Sequence, residues 1–425
     1  MTLTWWFLPI ALALPGVASA QILPSLPSLP ATGGVVGPVT GLTNNLPLVG
    51  DVRQAAQRLA EDRVSRLTRL ARRNPETIAL DRDGNPVRAG EVVIADADDA
   101  TIAAAQGDGF ALIERTTLDE LGIGFARLRA PKGLSIERAI QRARKFAGGH
   151  DVSADPLHFA SGASGEADRA SPSGPASVEA GTRIGVVDGG IDSGSISGAV
   201  TQSGFAAGAP ATNNHGTAIA SLIRGGSGIR GAAPGAALFV ADVYGRDPAG
   251  GSATTIARAL AWMVAQRVPV VTISLVGPAN PLLERAVAAA QARGTILVAA
   301  VGNDGPAAPP AYPASYPGVI AVTGVDGRNR ALIEAGRASH LDYAAPAADM
   351  LAANAGARPV AVRGTSFAAP LVAARLSHFY PAPDSTRLGS ALNALNGEAH
   401  DLGPRGPDRT FGRGLVCETC RTTKK

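Results

Sequence analysis

Three polar residues of this chain fall where an apolar run ends or a helical pattern begins, and their types match the parts of one reaction. Ser366 lies in Arg363-Gly364-Thr365-Ser366-Phe367-Ala368-Ala369-Pro370, a glycine turn leading into an apolar-faced helix over 368–380 with Pro370 in its first turn. A serine at a helix N-terminus faces the positive end of the macrodipole, which favours developing negative charge. His215 stands in Asn214-His215-Gly216-Thr217 at the start of a second apolar helix, and Asp188 ends the run Ile184-Gly185-Val186-Val187 ahead of Gly189-Gly190-Ile191-Asp192. A hydroxyl, an imidazole to take its proton and a carboxylate to hold the imidazole's tautomer are what acyl transfer requires. The order Asp, His, Ser is one of the convergent arrangements of that triad. Taken singly, each residue has a plainer explanation: Asp188 as a turn cap, His215 as a polar helix-start residue, Ser366 as a helix N-cap. Only their joint occurrence argues for chemistry.

Residues 182 to about 400 must position them. Apolar runs at 184–187, 237–243, 268–275, 295–301 and 319–325 have the near-continuous hydrophobicity of buried parallel strands, and helical patterns at 252–266 and 281–293 lie between them. That alternation predicts an α/β fold, a doubly wound, mostly parallel sheet with its site at the carboxyl ends of the strands. A different pattern precedes it. Short units over 90–159 read β-α-β-β-α-β, with Ser135 opening the second helix, which predicts a small α+β ferredoxin-like domain. Asp51 to Arg73 has helical spacing and reads as a solvated amphipathic helix.

Residues 1–20 contain an apolar stretch ending in Ala18-Ser19-Ala20, the form of a cleaved signal peptide, although no Lys or Arg precedes Trp5. Export is therefore expected, to a secreted, periplasmic or cell-surface location. No later segment is apolar over about 20 residues, so no membrane span is expected. Residues 1–180 carry 18 Lys and Arg against 20 Asp and Glu, and 181–425 carry 21 against 15. Charges so dilute, without aromatic interleaving, argue against a nucleic-acid partner. Cys417 and Cys420 lack the further ligands of a zinc site, so a small-loop disulfide is the expected state in an exported chain. The expected organisation is a signal peptide 1–20, a Leu/Pro-rich linker with its helix 21–89, and the ferredoxin-like domain 90–160. A Ser/Gly/Ala/Pro-rich cleavable connector 161–180, the main domain 181–416 and a tail 417–425 follow.

Val187-Asp188-Gly189-Gly190-Ile191-Asp192, His215-Gly216-Thr217 and Gly364-Thr365-Ser366-Phe367-Ala368-Ala369-Pro370 resemble, in order, the three signature motifs of the subtilisin-like (subtilase) serine peptidases. The resemblance runs from about Gly181 to Val416 and implies a serine endopeptidase with the triad Asp188, His215 and Ser366. It implies that Asn303, in Val301-Gly302-Asn303-Asp304, supplies an oxyanion-hole donor beside the backbone N–H of Ser366. It implies that Ser274, Leu275, Val276 and Gly277 pair with an extended polypeptide substrate, with Ala300 and Gly302 on the opposite wall. Val276 departs from the glycine usual in the family and narrows the pocket. The short stretch between Leu222 and Gly231 lacks the family's calcium insertion, so neither a tight calcium site nor any other cofactor is expected. Residues 21 to about 175 resemble a propeptide that inhibits its own enzyme until self-cleavage, and the product is expected to be a monomer. Two other functions compete. A pseudo-protease that binds peptides without cutting them is opposed by the four filled catalytic positions, and a lipase is opposed by the absence of a Gly-x-Ser-x-Gly elbow at Ser366.

Overall fold

The computed structural model describes residues 49–160, 163–164, 170–171 and 181–424. The segment expected to be a signal peptide, the Leu/Pro-rich stretch and most of the expected 161–180 connector lie outside the described residues. The N-terminal part comprises α1 (Val49–Arg73), β1 (Ile78–Leu80), β2 (Pro86–Ala95), α2 (Asp99–Gly107), β3 (Ala111–Leu118), β4 (Ile123–Arg129), α3 (Ile136–Ala143) and β5 (Val152–Pro156). Its antiparallel sheet runs β5-β2-β4-β3, with β1 beside the first residues of β2. This is the ferredoxin-like order expected. The domain starts before Gly90, because that glycine sits inside a β-bulge of β2 rather than at a boundary, and a kink within a strand reads as a break. Both faces of the sheet are covered, which explains the unbroken Val92-Val93-Ile94. Val92 and Ile94 pack with Ile102 and Ala139 of α2 and α3, while Val93 points the other way.

The remainder holds three short strands, β6 (Phe159–Ala160), β7 (Ala163–Ser164) and β8 (Ala170–Ser171), and then β9 (Arg183–Asp188), β10 (Val200–Gly204) and α4 (Asn214–Arg224). These are followed by β11 (Ala237–Asp242), α5 (Ala253–Ala265), β12 (Val270–Ile273), β13 (Leu275–Val276), α6 (Pro281–Ala292) and β14 (Ile296–Ala300). The C-terminal part adds β15 (Ile320–Val325), β16 (Tyr343–Pro346), β17 (Met350–Ala353), β18 (Pro359–Arg363), α7 (Ala369–Phe379), α8 (Leu388–Glu398) and β19 (Thr423–Lys424). Seven parallel strands in the order β10-β11-β9-β12-β14-β15-β16 form the central sheet. Alternate residues feed opposite layers: Val186, Val240 and Val298 join the cluster with α4 and α7, whereas Val187, Ala241 and Ala299 join the one with α5 and α6. The doubly wound expectation holds. The edge strand β10 was not legible, because Val200-Thr201-Gln202-Ser203-Gly204 is partly exposed and carries no apolar run.

The two parts are docked. Val93, Leu118, Leu121, Ile123 and Phe125 share one buried cluster with α5 and α6 of the main domain. Ion pairs of Glu114 with Arg258, Asp96 with Arg285, and Asp247 with Arg88 at 2.9 Å ring that contact. At the exit of β5, Asp155 accepts from Thr254 N at 3.0 Å and Thr254 Oγ1 at 2.6 Å, so a carboxylate caps the start of α5. Helix α1 is not the free amphipathic helix expected. Leu67 is buried on it, Leu59 lies against Gly305, and Arg63 and Arg66 reach Asp304 at 3.2 and 2.7 Å. Its apolar stripe has a partner that local sequence does not reveal. Nor is 417–425 a tail: β19 pairs with β8, Thr422 is buried and accepts from Leu351 N, and Cys417 and Cys420 form a disulfide.

Candidate functional site

Asp188 closes β9 and is 1% exposed; both of its carboxylate oxygens face Nδ1 of His215, at 2.9 and 3.0 Å. Two local devices produce this. Asn213 caps α4, its Oδ1 accepting from His215 N at 2.7 Å and Gly216 N at 3.3 Å, which fixes the histidine in the first turn. Backbones also meet where glycine stands on both sides. A Cβ on Gly216 would lie 2.3 Å from Gly189 O, and one on Gly189 would lie 2.7 Å from Asn213 Cβ. The carboxylate holds the Nδ1 proton, so Nε2 is the accepting nitrogen. Nε2 is buried and has no hydrogen-bond partner. Asn213 was not singled out in the sequence, although an Asn one residue before a helical run is the usual capping signal.

Ser366 lies in a single 3₁₀ turn over Thr365–Phe367, three residues ahead of α7, rather than at the helix N-terminus itself. Gly364 enters that turn at φ 134°, a conformation open to glycine. Neither the turn nor α7 has a side-chain cap, so the plain capping role for Ser366 is not what its hydroxyl does. Ser366 Oγ donates to Ser274 O at 3.1 Å, and Ser274 Oγ donates to Ser366 O at 2.8 Å. The Phe367 ring lies 5.4 Å from that of His215, which brings the turn against the Asp188–His215 pair. Thr365 ties in the next loop: its Oγ1 accepts from Gly302 N and donates to Gly302 O, both at 3.1 Å, and its N–H donates to Asn303 Oδ1 at 3.0 Å. Asn303 is thereby oriented with its oxygen anchored. Thr365 was also missed by sequence reasoning, since no local pattern announces a hydroxyl bridging to residue 302.

A segment of the chain occupies the cleft in front of these residues. Phe159 and Ala160 pair antiparallel with Val276 and Leu275, and His158 N donates to Gly251 O at 2.8 Å, so 158–160 runs as a middle strand between two edges. Further along the chain, Ala163 and Ser164 pair with Arg363 and Val362. The remaining groove is lined by Val276, Gly277, Gly302 and Asn303, with Arg63 and Arg66 of α1 across it. Gly277 is engaged with Tyr312 through two backbone hydrogen bonds of 2.9 and 3.0 Å. Leu275 and Ala300 differ from the other expected substrate contacts. Their side chains are fully buried in the layers of the sheet, so Leu275 meets β6 through its backbone and Ala300 does not line the groove. His158 is wholly buried with neither ring nitrogen hydrogen-bonded, and burial pushes its pKa down to about 4.

A family model described as "Subtilase family" matches residues 179–414. Subtilisin BL of Lederbergia lenta is 32% identical over 243 residues, 56% of this chain and 88% of that protein. Minor extracellular protease Epr of Bacillus subtilis (strain 168) is 30% identical over 244 residues, and the match spans 55% of this chain but 37% of Epr. Among solved structures, that of fervidolysin from Fervidobacterium pennivorans, titled a keratinolytic enzyme related to subtilisin, superposes with a TM-score of 0.65 at 18% identity. It covers 81% of this chain and 63% of the fervidolysin chain. That share exceeds residues 179–414, so the likeness in fold takes in N-terminal residues as well. With more than half of its length matched by the family model, the chain belongs to the subtilase family of serine peptidases.

Proposed function

We propose that this protein is an exported endopeptidase that hydrolyses polypeptides through an acyl-enzyme, with Ser366 as nucleophile, His215 as general base and acid, and Asp188 as the group that holds His215. The observation that carries the reading is His215 Nδ1 bound by both Asp188 oxygens while Nε2 stays buried and unpartnered beside the Ser366 turn. His215 Nε2 takes the Ser366 proton as Oγ attacks the scissile carbonyl, and returns it to the leaving amine; a water then repeats the sequence on the acyl-enzyme. The oxyanion takes donors from the Asn303 amide and the Ser366 backbone N–H. The Asn303 oxygen anchored by Thr365 N supports this assignment, because it directs the amide nitrogen as the donating end. The N-terminal segment 1–20 has the pattern of an export signal, and Epr is named as extracellular, which supports export.

The first substrate is the chain itself. Strands β6 and β7 pair with the two sides of the cleft, and only residues 161 and 162 separate them, which supports self-cleavage in this connector. The ferredoxin-like domain and α1 then remain as a docked inhibitor whose last residues fill the substrate strand. A peptide-binding pseudo-protease is favoured by one observation, the Ser366 hydroxyl resting on Ser274 O. Expression of the full chain beside Ser366→Ala separates the two. The wild-type chain is expected to shorten to a fragment beginning within 161–164, as read by N-terminal sequencing, and the variant to stay intact; equal shortening of both, or of neither, would defeat self-processing.

A further inference from the structure

We infer that Val276 is a size filter that restricts cleavage to bonds following small residues, glycine, alanine or serine. This inference rests on the peptidase reading above. In the antiparallel ladder Phe159 stands opposite Val276 and Ala160 opposite Leu275, so the next residue of a bound peptide stands opposite Ser274. The carbonyl of Ser274 holds the Ser366 hydroxyl at 3.1 Å, and therefore that next residue is the one whose own carbonyl meets the nucleophile.

Side chains alternate along a strand, so the residue opposite Ser274 projects to the same face as Phe159 and Val276. On that face the way is narrow. The two methyl groups of Val276 lie 3.4 and 3.6 Å from the point where a Cβ on Gly302 would stand, and its own Cβ lies 3.8 Å from it. Those are ordinary van der Waals separations, so the space left between Val276 and the Gly302 backbone is about one methyl group wide. The turn cannot retreat freely, because Thr365 Oγ1 holds both the N–H and the carbonyl of Gly302. A leucine or phenylalanine side chain entering beside Val276 must displace it, whereas a methyl or hydroxymethyl group does not. The chain's own sequence agrees with this filter: from 160 to 164 it reads Ala-Ser-Gly-Ala-Ser, with nothing larger than serine.

The test uses the full chain after self-processing and a series of chromogenic peptides that differ only in the residue before the scissile bond: alanine, leucine or phenylalanine. Wild type is expected to favour alanine over phenylalanine by about tenfold or more in kcat/KM, the scale on which a pocket discriminates by one or two carbons. Val276→Gly is expected to shift the phenylalanine-to-alanine ratio of kcat/KM toward phenylalanine by about tenfold or more. Val276→Ala, the milder variant, is expected to give an intermediate shift toward leucine. Equal use of alanine and phenylalanine by wild type, or an unchanged ratio in both variants, would overturn the filter. Labelling of Ser366 by a fluorophosphonate is read in parallel. Turnover of no peptide with Ser366 unlabelled overturns the peptidase reading and the filter with it, whereas labelled, active enzyme with no size preference overturns the filter alone.

Discussion

The two halves of the site are built by different means. The Asp188–His215 half is complete as it stands: a carboxylate at a strand end meets a histidine in the first turn of a capped helix, with both acceptor oxygens within 3.0 Å of Nδ1. The Ser366–Asn303 half is a pair of loops laced together by Thr365 and Ser274, and its hydroxyl rests on a carbonyl rather than on His215. In the first half His215 Nδ1 is held by both carboxylate oxygens and has little freedom. On the function proposed above, the second must release the hydroxyl toward Nε2 and accept a new charge, so its interactions are arranged around a state not yet formed. Regular elements fix His215; a network of turns places Ser366.

Substitutions on each side break the comparison most directly. Asp188→Asn preserves shape but donates where an acceptor is needed, which leaves His215 in the wrong tautomer; kcat is expected to fall by about 10⁴, measured on peptide substrate. A smaller effect would mean that the Nδ1 contact does not set the tautomer. On the other side, Asn303→Ala removes the donor proposed above to act only once the oxyanion forms. The expected loss is about 10² to 10³ in kcat with little change in KM. If KM rose instead and kcat held, Asn303 would be a contact to bound substrate and the nucleophile half would be as fixed as the base half.

A third prediction concerns what fills the cleft. His158 is neutral and buried when docked, with its pKa pushed down to about 4, against an ordinary value near 6.5 once released. Docking from this group is fully present above about pH 6.5 and is lost as pH falls toward 4. Asp155, whose carboxyl burial pushes up, acts in the opposite sense at the acid end, since it takes up a proton while docked. The N-terminal domain is expected to dissociate more readily after a pulse at pH 4.5 than at pH 7.5, by roughly 10 to 100-fold in the rate at which activity appears. Activity is assayed at one common pH. His158→Gln is expected to flatten that dependence; an unchanged profile would exclude His158 as its source.

Much of the peptidase sheet could be read directly, because a strand buried on both faces is a continuous apolar run and Val186-Val187 or Val298-Ala299 need nothing else to be recognised. Strand β2 of the ferredoxin-like domain was legible for the same reason. Other features depended on partners distant in the chain. The stripe of α1 is amphipathic in any setting, and only the fold supplies Asp304 and Gly305 as its neighbours. Thr365 and Asn213 act through hydrogen bonds that leave no periodic trace.

By itself, the sequence determined the residue types of the site, their order, and the strand ends and turns that carry them, because these follow from short-range rules of backbone conformation and alternating burial. Tertiary structure decided what those residues face. It set the Ser366 hydroxyl on Ser274 O, placed Val276 about one methyl group away from the Gly302 backbone and threaded 158–160 between two edges. Each of these contacts joins segments far apart in the chain, where distance is fixed by packing of whole layers rather than by any local preference.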